Sequence, residues 1–360
     1  MKRFDVIIIG GGIAGASLAA EVAPHASVLI LEMEDQPGYH STGRSAAFWS
    51  ETYGGPAIQP LTTASATGLD GFLQPLGALQ IGQAHDRARL DAFLEAFKHS
   101  GIDLEIVDPA DFIPGLRPEW TLGVREPTCA YIDVAGLHGQ CLGRAKKAGA
   151  ELITRATLQL AKRDGSDWIV EATAGSFGCT ILVDAAGAWA DEVATRCGVA
   201  PIGITAYQRT LVQLRTDPAA PEDMPHVASL DASFYFKPEP GGRVWLSPHD
   251  ETPVDPGDVA PEELDVAIAI DRFEHVVDWR VATVERKWAG LRSFAPDRKP
   301  VYGFAPDAPG FFWCAGQGGF GIQTAPAAAM VAAALLLDRA PDGLVAHIDP
   351  AMYCPERFSA

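Results

Sequence analysis

The stretch Asp5-Val6-Ile7-Ile8-Ile9-Gly10-Gly11-Gly12-Ile13-Ala14-Gly15-Ala16-Ser17-Leu18-Ala19-Ala20-Glu21-Val22 decides the fold. Residues 4–9, Asp5 apart, form an apolar run rich in Val and Ile, the pattern of a strand buried on both faces. A glycine cluster follows, then a helix-forming segment rich in Ala and Leu. Ser27-Val28-Leu29-Ile30-Leu31-Glu32 reads as a second buried strand. Strand, glycine turn, helix and strand within about 30 residues make a βαβ unit on a parallel sheet. Inside it, Gly10-x-Gly12-x-x-Gly15 has the form of a dinucleotide fingerprint. Gly10 permits the tight turn, Gly12 lets backbone approach a pyrophosphate, and Gly15 lets the helix pack on the strand. The helix start, with Ile13 and Ala14 in its first turn, offers free N–H groups and partial positive charge to phosphates. Glu32 lies 17 residues past Gly15 and can accept bonds from ribose hydroxyls. A 2′-phosphate would be repelled there, so FAD or NAD fits and NADP does not. The fingerprint alone is a weak signal; the strand–turn–helix–strand context and the terminal acid make it a strong one.

The chain has 360 residues, which predicts two domains or one large discontinuous unit. It is 48% hydrophobic and 21% charged, so it is globular and can bury a sizeable core. Lys plus Arg is 28 against 46 Asp plus Glu, a net charge of −18. That balance argues against nucleic acid and anionic membrane as main partners, and leaves room for a local basic pocket. None of the six cysteines forms a C-x-x-C pair, so zinc ribbons and thioredoxin-type chemistry are not expected, nor is a metal. Scattered reduced cysteines point to a cytoplasmic protein. The N-terminal apolar run is too short for a signal peptide and breaks into glycines. The run Ala325 to Leu337 is too short to span a bilayer, and Pro326 suits the first turn of a buried helix.

Further along, residues 36–56 are too rich in Gly, Ser and Thr for a core element. The patterns predict helices over 60–75, 86–99, 136–148, 261–278 and 322–337. Strand-like runs fall near 150–155, 157–163, 167–174 and 177–183, taken as antiparallel, with Asp164-Gly165 as a hairpin turn. More strands are expected over 200–250, 281–294 and 311–313. Two features bear on FAD against NAD. The segment Val183-Asp184-Ala185-Ala186-Gly187-Ala188-Trp189 ends a strand in small residues, which a flavoprotein needs to wall in its dinucleotide. The glycine loop 316–321 precedes a helix whose positive end would suit the negative charge near N1 of a reduced flavin, contributing about 0.3–1 kcal/mol. The loop could equally do no more than cap a core helix.

The chain resembles the FAD-dependent amino-acid oxidase/dehydrogenase family, which includes D-amino acid oxidase, glycine oxidase and sarcosine oxidase. Within that family it looks most like the D-arginine dehydrogenase type. The likeness lies in Val6 to Glu32, Pro37 to Ala47, Ser229 to Tyr235, Trp288 to Phe294, and Gly310 through Thr324. It implies an α/β fold: a discontinuous Rossmann-like FAD-binding domain (1–75, 136–199 and 291–360) plus a substrate domain with a mainly antiparallel sheet (76–135 and 200–290). It implies FAD as cofactor, held by the fingerprint residues and Glu32, by Ser41, Thr42, Arg44, Ser45 and Ala46, by Ala186, Gly187 and Trp189, and by Gly318, Gly319, Gly321 and Ile322. It also implies a hydride transfer from substrate Cα to flavin N5, giving an imino acid that hydrolyses to a 2-oxo acid.

Such a reaction needs an anchor for the substrate carboxylate. Arg292 is the first candidate: its planar fork can make two parallel charged bonds, and its apolar flanks argue against casual exposure. By resemblance Arg209 and Tyr235 join it, with Tyr53 at the substrate mouth. Taken alone, Arg209 reads equally as a surface ion pair, and the two tyrosines as core aromatics. Cys314 reads as a packed core thiol and His40 as a loop histidine making one backbone bond. Two departures shape the substrate. Where the D-arginine enzymes carry a glutamate and a histidine, this chain has Ala78 and Phe48. A neutral or aromatic D-amino acid then fits better than a cationic one. An N-substituted amino acid, a 2-hydroxy acid and a non-catalytic electron-transfer subunit are the alternatives. The electron acceptor stays open.

Overall fold

The computed structural model describes residues 1–358. The βαβ unit forms as its sequence dictates: Lys2–Ile9 and Val28–Leu31 lie parallel and adjacent, joined by the helix Ile13–Val22. Ile7 and Ile9 pack to one side of this sheet, Val6 and Ile8 to the other, which is why residues 6–9 are apolar without a break. The parallel sheet runs Glu151–Ile153, Val28–Leu31, Lys2–Ile9, Gly175–Asp184, Phe311–Ala315. Leu158–Asp164 and Asp167–Ala172 extend it antiparallel, as does Val301–Phe304. The 150–155 run was expected to be antiparallel, but its residues 151–153 pair parallel with Leu29–Leu31. The helix Val134–Lys147 delivers them there as a crossover.

The second sheet has ten strands. Its spine is the long antiparallel pair Thr205–Asp217 and Arg280–Phe294. One face carries Val212, Leu214, Phe236 and Leu246 and packs on Ala269 and Phe273 of the helix Glu263–Glu274. With a side-chain period of two, the alternate residues Arg209, Leu211, Tyr235 and Arg292 share the opposite face. That face looks toward the first sheet.

Several expected boundaries move. The helix expected over 60–75 spans only Gln59–Ser65 with one 3-10 turn to Leu69. Gly71, at φ +82°, turns the chain into the short strand Leu73–Pro75. Ala78–Gln83, Glu105–Val107 and Trp120–Glu126 join the second sheet without a strong alternation in sequence to announce them. The last helix begins at Gly321, so Pro326 sits inside it and not in its first turn. Its ring packs against Gly68, where a Cβ would lie 2.5 Å from Pro326 Cβ. Among the described residues no helix is long and apolar enough to cross a membrane.

Candidate active site

One cleft runs from the fingerprint turn to the open face of the second sheet. Every cofactor candidate except Gly15 lines it, as do Arg209, Tyr235 and Arg292. Gly15 lies behind the wall: a Cβ there would meet the Gly10 carbonyl oxygen at 2.0 Å, so only glycine lets the helix sit this close to the turn. Gly10 has φ +105°, and a Cβ on it would meet the Ala185 carbonyl oxygen at 2.5 Å. Glu32 is buried, accepting from Gly11 N at 2.7 Å and Glu34 N at 2.9 Å. Thr42 Oγ1 accepts from Ile13 N at 3.0 Å, tying the 38–45 loop to the helix start. His138 was not singled out in the sequence; its Nε2 lies 2.8 Å from the Gly11 carbonyl oxygen and braces the turn.

Some predicted contacts have their polar groups already committed. Ser41 Oγ donates to the Leu291 carbonyl at 2.8 Å. The Arg44 guanidinium reaches Asp258 and the carbonyls of Val259 and Ala289. What Arg44 offers the cleft is its stem and backbone. His40 does not bond backbone as expected: its ring nitrogen pairs with Glu34 Oε1 at 2.8 Å, and the ring lies against Trp189. Cys314 is a buried thiol, pushed up to about 12 by burial.

At the other end of the cleft the two arginines differ in kind. Arg209 is buried and largely spoken for. Its Nε donates to the Asp250 carbonyl at 2.8 Å and Nη2 to Glu251 at 3.2 Å, while Nη1 has no partner. Burial, and then repulsion by Arg292, lowers its pKa. Arg292 Nη1 donates to the Tyr53 hydroxyl at 2.7 Å. Burial opposes its charge, but the phenols of Tyr53 and Tyr235 and the carboxylates of Glu251 and Asp250 raise its pKa on balance. Even so, no carboxylate among the described residues lies within 4 Å of it, whereas Arg209 has two. The Tyr235 hydroxyl is also buried without a partner. Tyr53, as a phenol accepting from Arg292, keeps its own proton free to donate. Beside them Phe48 stacks on His226 at 4.3 Å, and His226 lies 5.5 Å from Tyr235. Burial holds the His226 imidazole down to about 3, so it is neutral. His226 carried no sequence signal beyond its presence in a strand.

Gly319 abuts this cluster. A Cβ on it would lie 2.3 Å from the Tyr53 hydroxyl and 3.0 Å from Arg292 Nη1. Gly319→Ala should therefore displace Tyr53 and lower kcat/KM about tenfold while FAD stays bound, since the neighbour that must move is a side chain. Steady-state kinetics beside the visible spectrum of the purified variant checks this.

A dinucleotide-type turn with no room for a Cβ at Gly10 or Gly15 opens, along one cleft, onto a guanidinium that has a phenol but no carboxylate for a partner, the arrangement of a nucleotide-cofactor oxidoreductase. The chain belongs to the DAO family of FAD dependent oxidoreductases, which it matches over residues 5–335. It is an enzyme of that family and its cofactor is FAD. It is similar to glycine oxidase from Geobacillus kaustophilus (strain HTA426), 24% identical across 96% of this chain and 98% of that protein. It is similar to mitochondrial sarcosine dehydrogenase of Homo sapiens, 24% identical across 89% of this chain but only 38% of that protein's length. In structure it is similar to L-proline dehydrogenase from P. horikoshii, with a TM-score of 0.85 at 21% identity over 99% of this chain and 98% of that one.

Proposed function

We propose that the chain oxidises the Cα–N bond of an α-amino acid, most readily a D-amino acid with a neutral or aromatic side chain. The observation that carries this is Arg292: a guanidinium on the cleft wall with no carboxylate of its own. An uncompensated charge in such a place is costly unless a ligand supplies the counter-charge. The substrate carboxylate does so, bound by Arg292 and Tyr53 and reached by Arg209 Nη1 and the Tyr235 hydroxyl, which otherwise have no partner. FAD, when bound, takes up the hydride released from Cα. The fingerprint glycines and Glu32 would hold its nucleotide half, and Gly318, Gly319, Gly321 and Ile322, which line the same cleft, would face its other end. The arginines orient the substrate so that Cα faces the cofactor, which is where positioning contributes most. Tyr235 lines the cleft with Phe48 and the neutral His226 packed behind it, an aromatic surround that favours a neutral or aromatic side chain over a cationic tail.

The likeness to glycine oxidase and sarcosine dehydrogenase supports a second reading, an N-substituted or unbranched amino acid at the same anchor. Both are tested at once by mixing the yellow protein anaerobically with D-, L- and N-methyl amino acids and with 2-hydroxy acids. Bleaching by neutral D-amino acids, with D-arginine at least tenfold slower, is expected. A flavin that no member of the panel bleaches would end the amino-acid reading.

A further inference from the structure

Tyr53 meets Arg292, and the three residues before it are held by side-chain and backbone bonds. Their donors converge on one buried carboxylate. Ser50 Oγ donates to Glu126 Oε2 at 2.9 Å, Glu51 N to Oε1 at 2.7 Å, and Thr52 Oγ1 to Oε2 at 2.6 Å. Glu126 ends the strand Trp120–Glu126 and is 3% exposed. Burial raises its pKa; the three donors oppose that, and the Glu51 carboxylate adds to it. No cation contributes. A buried carboxylate without a counter-ion is tolerated only where hydrogen bonds satisfy it. Here the loop does so, bringing three of its donors to the one carboxylate. From the opposite side, Gln323 Nε2 donates to the Tyr53 carbonyl at 3.1 Å and to Thr62 Oγ1 at 2.9 Å. Gln323 stands on the helix Gly321–Leu336, whose first turn borders the cleft. The loop is thus fixed between the substrate-side sheet and the cofactor-side helix.

We propose that Glu126 is a positioning residue for substrate binding, fixing the 50–52 loop so that the Tyr53 hydroxyl stays between Arg292 and the incoming carboxylate. This rests on Arg292 being the carboxylate anchor. Glu126 touches neither substrate nor cofactor; it acts through Tyr53 alone.

The test is a double-mutant cycle on the FAD-loaded protein, using benzoate as a plain carboxylate probe followed by the flavin absorbance change. Glu126→Ala should weaken benzoate about tenfold. Tyr53→Phe should have a similar effect, and the double variant should be no weaker than either alone, with FAD content unchanged. Glu126→Gln, which keeps the shape and one acceptor oxygen, should cost about threefold and serves if the alanine variant does not fold. Benzoate bound as tightly as by wild type, or effects that multiply in the double variant, would overturn the proposal. A second readout needs no ligand. With 3-fluorotyrosine at position 53, either Glu126 variant should move the ¹⁹F line toward its place in Arg292→Leu; an unmoved line would also overturn it. If wild type neither binds benzoate nor is bleached by any amino acid, the anchor reading fails, and the ¹⁹F comparison still decides whether Glu126 places Tyr53.

Discussion

Arg292→Leu should lower kcat/KM by about 10²- to 10⁴-fold while leaving the protein yellow and folded. Two charged hydrogen bonds to a carboxylate contribute about 1.5–3 kcal/mol each, which sets that range. The expectation that the fold survives follows from what Arg292 touches: its one side-chain bond is to Tyr53, so removing it strands no buried carboxylate. Arg209→Met is the informative contrast. Arg209 is buried and braced by the Asp250 carbonyl and Glu251; its loss takes the donor from the Asp250 carbonyl and leaves a gap among buried side chains, although Glu251 keeps Arg298, and should depress Tm as well as activity. Arg292→Lys retains charge but not the fork, and should recover only part of the loss. Anaerobic stopped-flow reduction separates the variants. Near-normal reduction of Arg292→Leu by the preferred substrate would remove the basis of the proposed function.

The cofactor half of the candidate site could be named from sequence because its chemistry is local. Gly10, Gly12 and Gly15 lie within one turn, and the clash distances at Gly10 and Gly15 give the physical reason those positions are glycine. Glu32 could be proposed for the same reason: it directly follows the next strand, and it lines the cleft. The substrate half is assembled from afar. Arg209 and Arg292 come together through the register Arg209↔Gly290 and Tyr207↔Arg292 across a long antiparallel pair, which no spacing along the chain reveals. Glu126, His138, His226 and Gln323 escaped notice because each acts by the group it faces: a loop, a carbonyl, two aromatic rings, a turn. A glutamate ending a short strand looks like surface until the three donors around it are seen. The short strands at 78–83 and 105–107 were missed for different reasons: the first lies inside the sheet and is buried on both faces, so Ala78-Leu79-Gln80-Ile81-Gly82-Gln83 shows no alternation, and the second is a three-residue edge strand.

Gly15→Ala and Gly12→Ala should separate two roles that the fingerprint combines. At Gly15 the added methyl meets the backbone oxygen of Gly10 at 2.0 Å, and backbone in a tight turn cannot swing aside as a side chain can. The helix Ile13–Val22 must therefore back away from the strand by about 1 Å or more, opening a core in which Ala16 and Ala19 are fully buried. Overpacking of this kind costs about 1–3 kcal/mol and here has no soft neighbour to absorb it. The same retreat pulls the helix start, and the partial positive charge it carries, away from the pyrophosphate position. Gly15→Ala should come out colourless and with a lowered apoprotein Tm. At Gly12 the nearest atom to an added Cβ is Thr42 Oγ1 at 3.2 Å, the end of a side chain that can give. The apoprotein of Gly12→Ala should melt near wild type and yet bind FAD more weakly, since the methyl occupies the line along which a phosphate approaches. Thermal melting of both apoproteins, with FAD titration of each, reads the difference. Equal melting temperatures for the two would mean that Gly15 is not a packing glycine, and equal FAD affinity of Gly12→Ala and wild type would mean that no phosphate comes near Gly12.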